Sequence, residues 1–211
     1  MSNRACLYIL MFLSLNSFAG QKAITEDGQT VILDSDQTWR YENTEANSGS
    51  NIPLNTKKFN KTAAQNFKVA GFPTTLSVYI NPEKWTFSKD KESSNRLSFR
   101  SKNPNNSDLY GSLIPEGIEI GINELGEIAL ENAKAFAPDA KIIKKEYRMV
   151  NGSKILYMEV EATAKSIKFK YVGYYGANKS GSVQLVVYSG SSVINSRMPE
   201  IEEFLNGFFV N

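Results

Sequence analysis

The chain is 211 residues long, with 24 Lys+Arg against 22 Asp+Glu, one cysteine and no histidine. A formal net charge of +2 supplies no concentrated positive field, which excludes nucleic acid as a partner. Without histidine there is no Ser-His-Asp triad, imidazole base or histidine zinc site, and the lone Cys6 permits no disulfide within the chain.

In chain order, Arg4 precedes an apolar run from Ala5 to Leu15. Asn16-Ser17-Phe18-Ala19 follows, with the small Ser17 and Ala19 that a signal peptidase requires. The run falls short of the roughly 20 residues that span a bilayer. Residues 1–19 are therefore expected to be a signal peptide cleaved after Ala19. That places the mature chain in the periplasm of a Gram-negative bacterium or outside the cell, cysteine-free and with no membrane span.

Residues 20–42 are predicted to form a small β-meander. Asp27-Gly28 makes its first turn, Thr30 to Leu33 its middle strand, Asp34 to Gln37 its second turn and Thr38 to Tyr41 its last strand. Glu26, Asp27, Asp34 and Asp36 lack the twelfth-position Glu and central Gly of a calcium loop, so they read as solvated turn carboxylates and no metal is expected. Residues 43–56 have the composition of a linker, and 57–211 form the main domain. Lys57 to Gly71 fits either an amphipathic helix or an irregular lead-in, with its lysines solvated.

Strands are expected at Thr75 to Ile80, Arg96 to Ser101 and Tyr110 to Ile122, with a polar loop at 101–108. Asn123 is expected to cap a helix from Glu124 to Ala137, ended by Pro138, whose inner stripe is Leu125, Ile128, Ala129, Asn132, Ala133 and Phe136. Four antiparallel strands fill 140–189. The Asn151-Gly152 turn sets Val150 opposite Ser153, Tyr147 opposite Leu156, Lys144 opposite Glu159 and Ile143 opposite Val160. The next return, taken as tight, sets Glu161 opposite Lys168, Glu159 opposite Lys170 and Val160 opposite Phe169. Val183, Leu185 and Val187 then share a face with Val172, Tyr174, Tyr157 and Ile155, so the sheet is apolar on both faces and needs cover on both. A last helix from Arg197 to Asn206, capped by Ser196, covers the second face with Ile201, Phe204, Leu205 and Phe208.

Two resemblances accompany these elements. The meander resembles a short DGTW-type motif at the mature N-termini of bacterial envelope proteins, with Gln37 where glycine is usual. A strand leading into Pro82-Glu83-Lys84-Trp85, then strands, a helix, a four-strand meander through Tyr174-Tyr175-Gly176 and a closing helix, resembles the PsbP/Mog1-like superfamily over residues 75–210. The implied fold class is α+β, an antiparallel sheet with helices on both faces. That superfamily holds a photosystem II extrinsic subunit, a binder of a nuclear GTPase and bacterial envelope proteins, so the likeness implies fold and not activity.

Glu159 and Glu161 point the same way from one strand, as an acid and base pair would. Lys144, Lys168 and Lys170 account for them as a ladder of partly exposed charges, in which Glu159→Gln costs no more than about 1 kcal/mol. Tyr171, Tyr174 and Tyr175 form either core or a stacking platform for sugars or peptides. No residue is assigned as catalytic, and no cofactor is implied. Glu159, Glu161 and Tyr174 stand as candidate ligand-binding residues. The expected function is a non-catalytic envelope protein that binds a protein partner or an accessory ligand. The alternative is a carboxylate-based enzyme acting on cell-envelope glycans.

Overall fold

The computed structural model of the protein describes residues 21–25, 30–33, 39–41, 52–89, 95–103 and 109–210. The expected signal peptide, Cys6, the turn carboxylates Glu26, Asp27, Asp34 and Asp36, and residues 43–51 lie outside these. Strands β1 (Gln21–Ile24), β2 (Thr30–Leu33) and β3 (Trp39–Tyr41) pair in that order as an antiparallel sheet, as the meander requires.

The next strands are β4 (Leu54–Phe59), β5 (Phe67–Ala70), β6 (Ser77–Ile80), β7 (Trp85–Lys89), β8 (Leu97–Ser101) and β9 (Tyr110–Glu116). Helix α1 (Ile122–Phe136) follows, then β10 (Lys141–Val150), β11 (Ser153–Ala164), β12 (Ile167–Asn178) and β13 (Gly181–Gly190). Two short helices, α2 (Ser191–Ser196) and α3 (Met198–Leu205), and β14 (Phe208–Phe209) close the chain. Among the described residues the main sheet has eight strands in the order β4-β10-β11-β12-β13-β9-β8-β7, antiparallel except where β4 joins β10. Strands β14, β6 and β5 form a smaller sheet.

Strand alternation sorts the side chains onto two faces. Ile155, Tyr157, Val172, Tyr174, Val183, Leu185 and Val187 lie on one, as expected, beneath Ile194 of α2, Ile201, Phe204 and Leu205 of α3, Phe208, and the small sheet's Val69, Val78 and Ile80. Leu156, Met158, Val160, Tyr175 and Val186 lie on the other, against Leu125 and Ile128 of α1. Ile24 of the meander and Ile52 also pack on that second cluster. The architecture is therefore α+β, with helices on both faces of a mainly antiparallel sheet.

Several expectations need correction. Lys57 to Gly71 is not a helix: it contains the second half of β4 and all of β5, with an irregular segment between them. Strand β4 begins at Leu54, upstream of the expected domain start, and buries only Phe59, because an edge strand can be held by backbone pairing without an apolar pattern. Ile143 does not oppose Val160. A bulge at that point pairs Ile142 with Val160 and leaves Ile143 43 % exposed. The return between β11 and β12 pairs Glu161 with Lys170, Glu159 with Val172 and Val160 with Tyr171. The expected register left no residues for a turn, whereas the observed one spends Lys165 and Ser166 on it, both at positive φ. A two-residue slip preserves faces, so the cores are unaffected.

Asn123 does not cap α1. Gly121 takes the N-cap position without a side-chain bond, and the Asn123 Oδ1 instead accepts a hydrogen bond from the Tyr147 hydroxyl at 2.8 Å. Nor does Ser196 cap the last helix, whose N-cap is Arg197, and the Ser196 hydroxyl donates to Val193 O at 3.0 Å. Close approach of α1 to the sheet depends on Gly126, where an added Cβ would sit 2.7 Å from Leu156 Cδ2 and 3.1 Å from Met158 Sδ.

The Asn151-Gly152 turn does more than set register. Asn151 holds φ 47°, donates to Asn206 O at 2.8 Å and to Phe208 O at 2.7 Å, and accepts from Lys61 N at 2.9 Å. One side chain thus ties the hairpin to the segment after β4 and to the chain end. Asn151→Ala removes three hydrogen bonds and strains a left-handed position, and should cost about 3 kcal/mol in urea unfolding. A loss below about 1 kcal/mol would show that these ties are replaced by water.

Candidate functional site

The face under α2 and α3 carries a buried polar network. Arg148, 2 % exposed, lies over the Tyr157 ring at 3.5 Å and the Phe59 ring at 4.3 Å. Its Nε donates to Glu146 Oε1 at 2.6 Å, and one terminal nitrogen donates to the Tyr174 hydroxyl at 3.3 Å and to Glu202 Oε1 at 3.4 Å. Tyr174 in turn donates to Asn206 Oδ1 at 2.9 Å, and burial pushes its pKa up to about 12. Asn55 donates to Glu146 at 3.0 Å. Burial alone would raise the Glu146 carboxyl, but hydrogen bonds from Arg148 and Asn55 and the Arg148 and Lys144 charges outweigh it, and the net direction is down.

Glu159 belongs to the edge of this network. Its Oε1 accepts from the Tyr157 hydroxyl at 2.8 Å, and its Oε2 lies 3.6 Å from Lys170 Nζ, which also donates to Asn195 Oδ1 at 2.7 Å. Lys144 does not complete a ladder through Glu159. It lies 3.6 Å from Glu146 and 5.3 Å from the Tyr157 ring centre. The Glu159 and Lys170 side chains are only 13 % and 9 % exposed, so the pair is nearer a buried bridge than the partly exposed one expected. Glu161 sits across from Lys141 and Lys170 in register. Neither carboxylate lines the cleft described next.

On the opposite face, a cleft of about 490 Å³ opens between α1 and the sheet. Its floor is Val160, Tyr171, Tyr175, Gln184, Val186 and Tyr188, all on the α1 side of β11 to β13. The helix contributes Ala129, Asn132, Ala133 and Phe136, and the far wall is Arg96, Ile114 and Glu116. A cavity of this size, mostly apolar with a few polar groups, is what small-molecule sites have in common. Burial raises the Tyr171 and Tyr175 hydroxyls above their ordinary value, so both stay protonated.

The three tyrosines read together from the sequence are thus divided by strand alternation. Tyr171 and Tyr175 line the cleft, while Tyr174 is enclosed in the network beneath α3. Arg96, Gln184 and Tyr188 were not singled out by sequence reasoning. One legible signal was Asn132, a polar residue in an otherwise apolar helical stripe. The stripe has the right phase: Leu125 and Ile128 pack on the sheet, while Ala129, Asn132, Ala133 and Phe136 line the cleft, Phe136 being 69 % exposed.

Two measurements follow from the network. Glu159→Gln leaves Lys170 largely buried without its carboxylate and should cost about 2 kcal/mol in urea unfolding, with no loss of ligand binding at the cleft. For Glu146 the folded-state pKa is depressed, so its contribution is complete above the unfolded value of about 4.3 and is lost as pH falls through the folded value. Urea midpoints of wild type and Glu146→Gln should differ at pH 7 and converge below about pH 4. A pH-independent difference would mean that Glu146 acts through packing and not charge.

No protein-family model matches the chain, and no curated protein matches it. Among solved structures it is similar to the cyanobacterial PsbP protein CyanoP of Synechocystis sp. PCC 6803, with TM-score 0.52 and 12 % identity, covering 69 % of this chain and 92 % of that one. It is also similar to PA94 of Pseudomonas aeruginosa, described as a protein of unknown function and putative regulator, with TM-score 0.47, 9 % identity and coverage of 61 % and 98 %. A third is LpqN of Mycobacterium tuberculosis, described as involved in cell envelope biogenesis, with TM-score 0.43, 11 % identity and coverage of 67 % and 88 %. The likeness to CyanoP concerns fold alone, and the fold is PsbP-like.

Proposed function

We propose that the chain is a non-catalytic, exported envelope protein that binds a small ligand in the cleft beneath α1. The observation that carries this reading is the cleft itself, a preformed cavity of about 490 Å³ floored by three tyrosines on the sheet. The carboxylates that would serve an enzyme, Glu159 and Glu161, do not line this cleft. Both oxygens of Glu159 are engaged, by Tyr157 and Lys170, on the face away from the cavity. Export rests on the apolar run and small residues of 1–19. Among the described residues no helix is long and apolar enough to cross a membrane.

Binding is testable with phenylnaphthylamine, an uncharged aromatic probe that brightens in apolar surroundings. Ala133 faces the cavity from α1, and Ala133→Leu fills it without adding a polar group. Wild type should bind the probe, and Ala133→Leu should weaken binding about tenfold or more, a change of about 1.4 kcal/mol, at unchanged melting temperature. Equal affinity in both proteins would remove the cleft as the site. Intact mass of the protein recovered from the envelope fraction or the medium should correspond to a chain beginning at Gly20, and retention of Met1 to Ala19 would contradict export by cleavage.

A further inference from the structure

We propose that the cleft selects a small amphipathic anion, with its carboxylate, sulfonate or phosphate group held by Arg96 and its flat apolar body lying on Tyr171 and Tyr188; this rests on the cleft being the binding site. The first ground is an unsatisfied donor. Arg96 lines the cavity, and its Nε is buried without a hydrogen-bond partner. A guanidinium cannot shed its charge to relieve that state, and its planar fork matches an anion with two oxygens. Buried donors are normally partnered, so the closed-off Nε marks a guanidinium that the chain leaves under-matched, and an anion in the cleft would offset its charge from the open side of the fork.

The second ground is the balance of donors and acceptors around that position. Continuing the β8–β9 pairing by one step places Arg96 opposite Ile114, and both face the cavity. The hydroxyls of Tyr171 and Tyr175 remain protonated and can donate. The single carboxylate of the lining, Glu116, is exposed and lies two residues further along β9, about 7 Å away along the strand. Nearer the floor the lining holds one fixed positive charge, the hydroxyls of Tyr171 and Tyr175, and the amides of Asn132 and Gln184, all of which can donate to an anion.

The third ground is the shape of the apolar part. Tyr171 and Tyr188 have ring centres 5.8 Å apart, and Tyr188 continues to Tyr110 at 5.9 Å with only 22° between the planes. In the other direction Tyr171 meets Phe169 at 5.3 Å, and Phe169 meets Phe136 at 6.0 Å. Tyr171 and Tyr188 line the cleft themselves, and the neighbouring rings hold them in place. A planar or chain-like apolar body laid along them keeps its anionic end on Arg96. A neutral polyol would leave the apolar walls unused and the charge unpaired.

The test compares two probes with nearly the same aromatic body, anilinonaphthalene sulfonate and uncharged phenylnaphthylamine, on the full chain at fixed salt. The sulfonate should bind about tenfold or more tightly than the neutral probe. Arg96→Gln should erase that difference by weakening the sulfonate alone, and Arg96→Lys should restore part of it. Added salt should weaken the sulfonate and spare the neutral probe, a measurement on wild type that decides the matter even if Arg96→Gln melts early. If both probes bind equally, or Arg96→Gln weakens them equally, anion selection is overturned. In that case loss of both probes in Ala133→Leu would still uphold the cleft. If neither probe binds, or Ala133→Leu changes nothing, the cleft reading falls with it.

Discussion

A sheet of eight strands that is apolar on both faces has to be covered twice, and among the described residues one side has a single helix, with Ile24 and Ile52 beside it. Eight strands span about 34 Å across, whereas α1, with 15 residues, is about 22 Å long and about 10 Å wide. One helix of that size cannot close the whole face. Gly126 draws the helix down onto Leu156 and Met158, so its N-terminal half seals part of the sheet. Over β12, β13 and β9 the face is left to Tyr171, Tyr188 and Tyr110, whose rings can be apolar below and wet at the hydroxyl. The cleft is therefore the consequence of a mismatch between sheet and cover.

The other face shows what full cover requires. Two short helices and a second small sheet close it, and the enclosed charges are satisfied one by one. Arg148 is sandwiched between aromatic rings and bonded to Glu146, Tyr174 and Glu202, with Asn55 and Asn206 completing the chain. Such a group favours folding only while all of its partners are present, because a half-satisfied buried charge costs more than an apolar replacement. The contrast with Arg96 separates the two arginines by role. One is bonded to three residues within the chain, and the other lines a cavity with its Nε unpartnered.

Much of this was legible where local chemistry dictates geometry. Asn151-Gly152 fixes Tyr147 opposite Leu156, strand alternation then places Val183, Leu185 and Val187 with Tyr174, and the stripe Ile201, Phe204, Leu205 specifies the buried side of α3. What was not legible depends on groups distant in sequence. The bulge that expels Ile143, the backbone pairing that recruits β4 and the displacement of Asn123 from its capping role by Tyr147 carry no periodic pattern. Arg96 is a solitary basic residue ahead of a strand, indistinguishable in sequence from any solvated arginine. Only the pairing of β8 with β9, and of β9 with β13, brings it to the rings of β12 and β13.

That arrangement also determines which part of the site can vary. The floor belongs to strands paired on both sides, with Gly173 pressed between Val186 and Tyr175 so tightly that an added Cβ would sit 2.7 Å from Val186 Cγ1. Movement there would have to break ladder hydrogen bonds. The wall is different, because α1 is anchored at Leu125 and Gly126 and held at its far end by buried Ala137 and the ring contact of Phe136 with Phe169, while Ala129, Asn132 and Ala133 between them face the gap. Ala129 and Ala133 are small, so the width of the gap is set by how far the helix stands off a rigid sheet and not by contact at those two positions. Recognition on such a site divides accordingly, with charge and ring stacking set by the floor and far wall, and the size of the accepted body set by the helix.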